Sequence, residues 1–264
     1  MKKIIIPLLF VTVITGFVIG IWLVPKNKGS DIDYNTKVSD IAYDSKNGTN
    51  CRVYIKEKEN DTKYTPFLVL TSNYNDACLL IREHLLDDLQ EYNKSSEYGS
   101  YYKDSEIDKY LNEKYFSTLS KRLQEVIITT DLEIATKNAI DTHKKENEVI
   151  KRKIFLLSAT EINASLTSTT VKEGKELLYF KNIDNRIRTY ENGEADTWLL
   201  RSAALCGGNS IITVISDGGV GIAELNGVDG PIKISVMPAF CVDKNTPIVK
   251  RDDLIEGQTV FCIQ

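Results

Sequence analysis

The chain has 264 residues and a formal charge of -4, with 33 Lys and Arg against 37 Asp and Glu. Setting aside Lys2, Lys3, Lys26 and Lys28, which flank an apolar N-terminal run, leaves 29 basic residues against 37 acidic and argues against nucleic acid as a partner. With only two histidines, His84 and His143, far apart in the chain, no histidine-based zinc motif can be written.

Residues 1–3 form a short basic N-terminus, and residues 4–24 are uncharged. As a helix this run would span about 31 Å, roughly one hydrocarbon core, so it reads as a transmembrane signal anchor. A cleavable signal peptide is the competing reading, but Ile21-Trp-Leu-Val-Pro25 offers no small-residue cleavage site. The flanking lysines nearly balance, and the free N-terminal amine tips the orientation toward an extracytoplasmic C-terminal part. Residues 25–50 are polar with sparse apolar positions and read as a linker, leaving residues 51–264 as one extracytoplasmic domain.

In chain order, Arg52 to Lys56, Pro66 to Thr71 and Ala77 to Ile81 read as three strands of an antiparallel meander, with Ser72 to Asp76 as turn residues. His84 to Gln90 is expected as a brief helix. After a loop over 93–103 rich in Ser and Tyr, Ser105 caps a helix reaching Asn112, and Leu119 to Val126 reads as a second helix. Residues 136–150 are a polar, exposed excursion. Ile154 to Leu157 reads as a buried strand, and Ser158-x-x-Glu161 is a capping box that starts a short helix. Residues 174–190 look partly helical. From Thr197 onward the pattern is strand and turn: Trp198 to Arg201, Ile211 to Ile215, the hairpin turn Ser216 to Gly219, Ile232 to Val236, a closing strand at Val236 to Ala239, and an edge strand near 259–263.

Four of these segments carry a resemblance. Glu106-Ile-Asp-Lys-Tyr-Leu-Asn112, Phe155-Leu-Leu-Ser158, Trp198-Leu-Leu-Arg-Ser202 and Val236-Met-Pro-Ala239 resemble, in that order, the D-I-R-x-x-L-N, F-L-L-S, W-L-R-S and V-R-P-A motifs of an uncharacterised family of bacterial, mostly extracytoplasmic domains. The chain departs from them at Asp108 and Met237, where arginine is usual. That family looks like a relative of the C-type-lectin-like fold shared with formylglycine-generating enzymes. The resemblance implies an α+β domain of mainly antiparallel short strands with two or more helices, and no particular activity. The calcium tripeptides of lectins are missing, and Cys206 and Cys241 are too far apart in sequence to match the paired cysteines of formylglycine-generating enzymes.

Catalytic motifs fail in turn: no G-x-S-x-G elbow occurs, and Cys206 beside Gly207-Gly208 has no identifiable base. No cofactor, metal or catalytic residue is assigned. Of the five cysteines, Cys51, Cys78, Cys206, Cys241 and Cys262, either all are buried free thiols or one bridge forms among the last three. Arg201, on a strand of apolar neighbours, must find a carboxylate or carbonyl, either as a fold-stabilising ion pair or as the anchor of an anionic ligand. Trp198, Arg201, Asp196, Tyr101 and Tyr102 are the candidate ligand-binding residues, on a surface made from the 93–103 loop, the 184–196 segment and the Arg201 strand. The expected function is a membrane-anchored, non-catalytic binding or display module for a cell-surface glycan, peptide or protein. The alternatives are a thiol-based or hydrolytic enzyme of the cell envelope, or a structural subunit of an envelope complex.

Overall fold

In a computed structural model of the chain, the described residues are 36–45, 50–94, 99–164, 169–205, 208–227 and 230–263. The apolar run at 4–24, Tyr98 and Cys206 lie outside them. No helix of the described residues is long and apolar enough to cross a membrane.

The fold is mixed α+β, mostly strands. The strands are β1 (Arg52–Ile55), β2 (Thr65–Tyr74), β3 (Ala77–Arg82), β4 (Gln90–Glu91), β5 (Ile127–Ile128), β6 (Thr130–Ala135), β7 (Asn147–Arg152), β8 (Ile154–Phe155) and β9 (Trp198–Ala203). They continue as β10 (Ser210–Val214), β11 (Val220–Glu224), β12 (Asn226–Gly227), β13 (Gly230–Pro231), β14 (Lys233–Ile234), β15 (Ala239–Val242), β16 (Val249–Ile255) and β17 (Gln258–Ile263). Four short α-helices are described: α1 (Glu106–Lys109), α2 (Phe116–Thr118), α3 (Lys121–Val126) and α4 (Lys137–Thr142).

The main sheet runs β16-β17-β1-β2-β3-β15-β5, and β8 shares the β15 edge with β5. Only the β1–β17 pairing is parallel. A second sheet, β11-β10-β9, and the β6–β7 hairpin complete the larger elements. The β1-β2-β3 meander is as expected, with β2 running on to Tyr74 so that only Asn75 and Asp76 turn, at φ 49° and 65°. A two-residue turn with both central φ positive matches the strand twist, and Asn and Asp tolerate it better than other side chains with a Cβ.

Several expectations are corrected. Residues 36–45 are not linker: Val38, Ile41 and Ala42 are buried in the main core, and the Tyr43 N–H donates to Val69 O at 2.9 Å. His84 to Gln90 is not a helix. Arg82 Nη1 takes the carbonyls of His84 and Leu85, while the N–H groups of Leu85 and Leu86 bond Thr189 and Val236, so long-range partners replace the helical ladder. The capping box at Ser158 forms, with Ser158 N–H to Glu161 Oε2 at 2.9 Å and Glu161 N–H to Ser158 Oγ at 3.1 Å, but it closes turns and no regular helix follows. Residues 236–238 are not a strand, because Pro238 has no N–H to give; β15 begins at Ala239. β17 is no edge but lies between β16 and β1.

The first motif helix changes character midway. Ser105 caps it as expected, accepting from Asp108 N–H at 3.2 Å, but residues Tyr110–Tyr115 form a π turn. Asn112 accounts for it. Its Nδ2 donates to Asp108 O at 3.1 Å and Ile154 O at 2.9 Å, and its Oδ1 accepts from Lys153 and Ile154 N–H at 3.1 Å. A side chain inserted at the helix ladder is a recognised cause of such a distortion.

Candidate ligand-binding groove and the buried network beneath it

The five candidate residues do not converge on a solvent-facing surface. Arg201 is fully buried on β9: Nη1 and Nη2 reach Glu161 Oε2 and Oε1 at 2.7 and 2.8 Å, and Nη1 also donates to Leu156 O at 2.8 Å. Its guanidinium is therefore an internal ion pair. Burial alone would lower the Arg201 pKa, but Glu161, Tyr74 and Glu173 together outweigh it and hold the group well above its usual value. Trp198 has no exposed surface and donates Nε1 to Arg186 O at 3.0 Å. Tyr102 is buried and accepts from Leu156 N–H at 3.3 Å.

Tyr101 is half-buried and bonds Glu148. Asp196 accepts from Tyr190 Oη at 2.8 Å, Ser235 Oγ at 2.7 Å and Thr197 N–H at 2.7 Å. Burial pushes the Asp196 carboxyl up, and those donors more than reverse it, leaving the group below its usual range.

Sequence reasoning missed the partners that make Arg201 intelligible. Glu161, identified only as a capping residue, serves the turn and the ion pair at once. Tyr74 on β2 donates to Glu161, and Gly174 lies against the same carboxylate. Gly174 has φ +77°, and a Cβ there would stand 2.7 Å from Glu161 Oε1, so glycine is required for both space and conformation. A second buried carboxylate, Glu173, accepts from Ala135 N–H at 2.8 Å and from Ser202 Oγ. Burial is the main cause that pushes Glu173 above its usual value; Arg201 and the two donors oppose it, and Glu161 adds to it.

Tyr74 and Gly174 also line a groove of about 490 Å³. The β2–β3 hairpin supplies Asn73, Asn75 and Asp76, the β6–β7 hairpin supplies Asp131, Glu133 and Val149, and Lys175 to Leu177 form a third side. Asn75 Nδ2 ties the two hairpins by donating to Asp131 O at 2.7 Å, and Gly174 N–H donates to Glu133 Oε2 at 3.0 Å. Asp44, Asp76, Asp131, Glu133 and Glu176 line the groove with Lys175 as the only basic lining residue among the described residues, while Lys151 and Lys244 pair with Asp131 and Asp76 at 2.6 and 3.4 Å. Val149 is 61 % exposed and adds an apolar side. None of the five candidate residues lines this groove.

No group of three metal-ligating side chains converges among the described residues. Cys51, Cys78, Cys241 and Cys262 are free thiols, so no bridge joins Cys241 to Cys262. Burial pushes Cys78 and Cys241 up to about 12 and Cys262 to about 11, which keeps these thiols protonated and poorly nucleophilic near neutrality.

The motif residues have structural work to do. Asp108 is buried and takes both Nε and Nη2 of Arg152, at 2.8 and 2.7 Å. Met237 has no exposed surface. No curated protein and no solved structure matches the chain. A family model described as a domain of unknown function (DUF6273) matches residues 75–244, a span that takes in all four motifs, the Arg201–Glu161 pair and most of the groove, and the chain therefore belongs to the DUF6273 family.

Proposed function

We propose that this chain is a membrane-anchored, extracytoplasmic, non-catalytic module that binds a positively charged peptide segment in the groove between the β2–β3 and β6–β7 hairpins. The observation that carries the reading is the groove itself: a concave site of ligand size, with carboxylates around an apolar side, resting on a locked internal network. Fixed walls favour binding, because little order has to be created when a ligand arrives. Asp196, on which a hydrolytic alternative would turn, is taken up by Tyr190, Ser235 and Thr197.

Anchoring rests on the apolar run at 4–24 and its basic flanks. The finer reading of the fold as C-type-lectin-like rests on the motif resemblance alone.

The test uses the full-length chain in detergent, titrated with an oligolysine peptide and, as control, an oligoglutamate peptide. Binding should be specific to oligolysine, fall with salt, and weaken by about tenfold or more in Asp76→Asn/Asp131→Asn/Glu176→Gln, since charged contacts at an exposed rim are screened. Failure of oligolysine to bind, or equal binding by the variant, would sink the groove assignment. Carbonate extraction and protease accessibility in intact cells test the anchor and its orientation separately.

A further inference from the structure

Away from the acidic groove, a cavity of about 260 Å³ opens between the residues after β1, the loop after β3 and the π turn Tyr110–Tyr115. Its lining shares no residue with the groove. One wall holds a buried carboxylate: Glu57, 4 % exposed, accepts from Tyr115 Oη at 2.6 Å and, through both oxygens, from Arg82 Nε at 3.3 and 3.2 Å. Arg82 in turn gives Nη1 to the carbonyls of His84 and Leu85 at 2.6 and 2.9 Å, which ties the loop after β3 to that carboxylate. Buried charges of this kind hold their place through internal partners, so the wall is formed before any ligand arrives.

Around this wall stand charges of both signs that do not satisfy one another. Asp87 and Asp88 come from the loop after β3, Lys58 from the residues after β1 and Lys114 from the π turn; all four line the cavity and all four are exposed. Among the described residues, the two carboxylates and the Lys58 ammonium have no hydrogen bond or ion pair, and the Lys114 ammonium has only the Tyr110 ring, 5.6 Å from its centre. Elsewhere on the surface of this chain opposite charges within reach do pair, as Lys151 with Asp131, Lys94 with Glu106 and Lys233 with Glu91.

Opposite charges that face one cavity and stay apart leave a gap that a molecule carrying both charges can bridge. The remaining lining suits the rest of such a molecule, because Leu86 and Tyr110 offer apolar and aromatic surface beside the charges. Glu57 is not one of the ligand's partners, since Arg82 and Tyr115 already hold it; it positions the loop that carries the two aspartates.

We propose that this cavity binds a small zwitterion, a free α-amino acid, whose ammonium meets Asp87 and Asp88, whose carboxylate meets Lys58 and Lys114, and whose apolar side chain lies along Leu86 and Tyr110. The site does not depend on the acidic groove, and separate ligands test the two.

In the experiment, labelled leucine is dialysed to equilibrium against the full-length chain in detergent, with empty micelles as the blank. N-Acetylleucine, which lacks the ammonium, and leucinamide, which lacks the carboxylate, serve as competitors. Leucine should bind saturably, and each analogue should compete about tenfold more weakly than unlabelled leucine, because each forfeits its charged hydrogen bonds to one side of the cavity. Asp87→Asn/Asp88→Asn and Lys58→Met/Lys114→Met should each weaken leucine by about tenfold or more. Substitutions at exposed side chains without partners leave the fold in place. The proposal is overturned if leucine shows no saturable binding above the blank, if either analogue competes as well as leucine, or if either double variant binds leucine like the unsubstituted chain.

Discussion

Glu173 is a carboxylate with no access to water, hydrogen-bonded by Ala135 N–H and Ser202 Oγ, with Arg201 and Glu161 nearby. Burial is the main cause that raises the Glu173 pKa; Arg201 and the two donors offset it only in part, and Glu161 adds to it. A raised pKa means the folded chain binds this proton at pH values where the unfolded chain has released it. Stability then falls as pH rises from the usual glutamate value of about 4.3 through the higher value of Glu173 in the fold. Urea unfolding across that range should show the decline, and Glu173→Gln, neutral at every pH, should flatten it. An unchanged slope in the variant would mean that the proton sits elsewhere.

At the scale of elements, the helix after Ser105 is held to the strand region behind it by one side chain. Asn112 makes five hydrogen bonds, to Asp108 O and Oδ1, Ile154 O, and the N–H groups of Lys153 and Ile154. Each such bond contributes about 1 kcal/mol net, and part-buried groups left unpaired cost more. Asn112→Ala should therefore lose about 2–4 kcal/mol in chemical denaturation, and near-surface amides of residues 153–154 should exchange faster. A loss well under 1 kcal/mol would mean that the π turn is set by packing of Leu111 and Tyr115 instead.

Element by element, what could be read locally was read correctly where neighbours in sequence decide the outcome. The Ser105 cap, the Ser158–Glu161 box, the alternation of β1 and the apolar runs of β2 and β3 are satisfied within a few residues of chain, or by burial in the core. The errors fall where distant groups compete for the same backbone. Residues 84–90 give up their helix because Arg82, Thr189 and Val236 bond it first, and residues 36–45 join the core because Val38 and Ile41 find a place to bury that sparse periodicity could not announce.

Across the whole molecule, Arg201 is where separate sheets meet. It stands on β9 of the second sheet, pairs with Glu161 after β8, takes Leu156 O, and reaches Glu133 O on the β6–β7 hairpin at 3.3 Å; Glu161 in turn accepts from Tyr74 on β2. Removing the guanidinium leaves a carboxylate buried without its partner, which costs about 3–5 kcal/mol. Arg201→Met should accordingly lower the urea midpoint of the whole domain in a single transition. Adding Glu161→Leu should recover part of that loss, because the uncompensated charge goes with it, and failure of the double variant to improve on the single one would contradict the assignment. The groove is also a property of this scale, since its walls come from residues 44, 71, 73–76, 131, 133, 149 and 174–177 and exist only once those segments are brought together.

By itself the sequence determined the α+β class, the positions of β1 to β3, β8 to β10 and β17, the Ser105 helix cap, the Ser158–Glu161 box and the need for Arg201 to find a partner, because propensity, apolar pattern and the cost of a buried charge are all legible in single residues and short windows. Only the tertiary structure decided that the partner is Glu161, that β17 lies beside β1 and that Asp108 belongs to Arg152. The physical reason is the same in each case. An ion pair or a strand neighbour is selected among groups far apart in the chain by which of them the packed core brings within a few ångströms, and no local pattern records that choice.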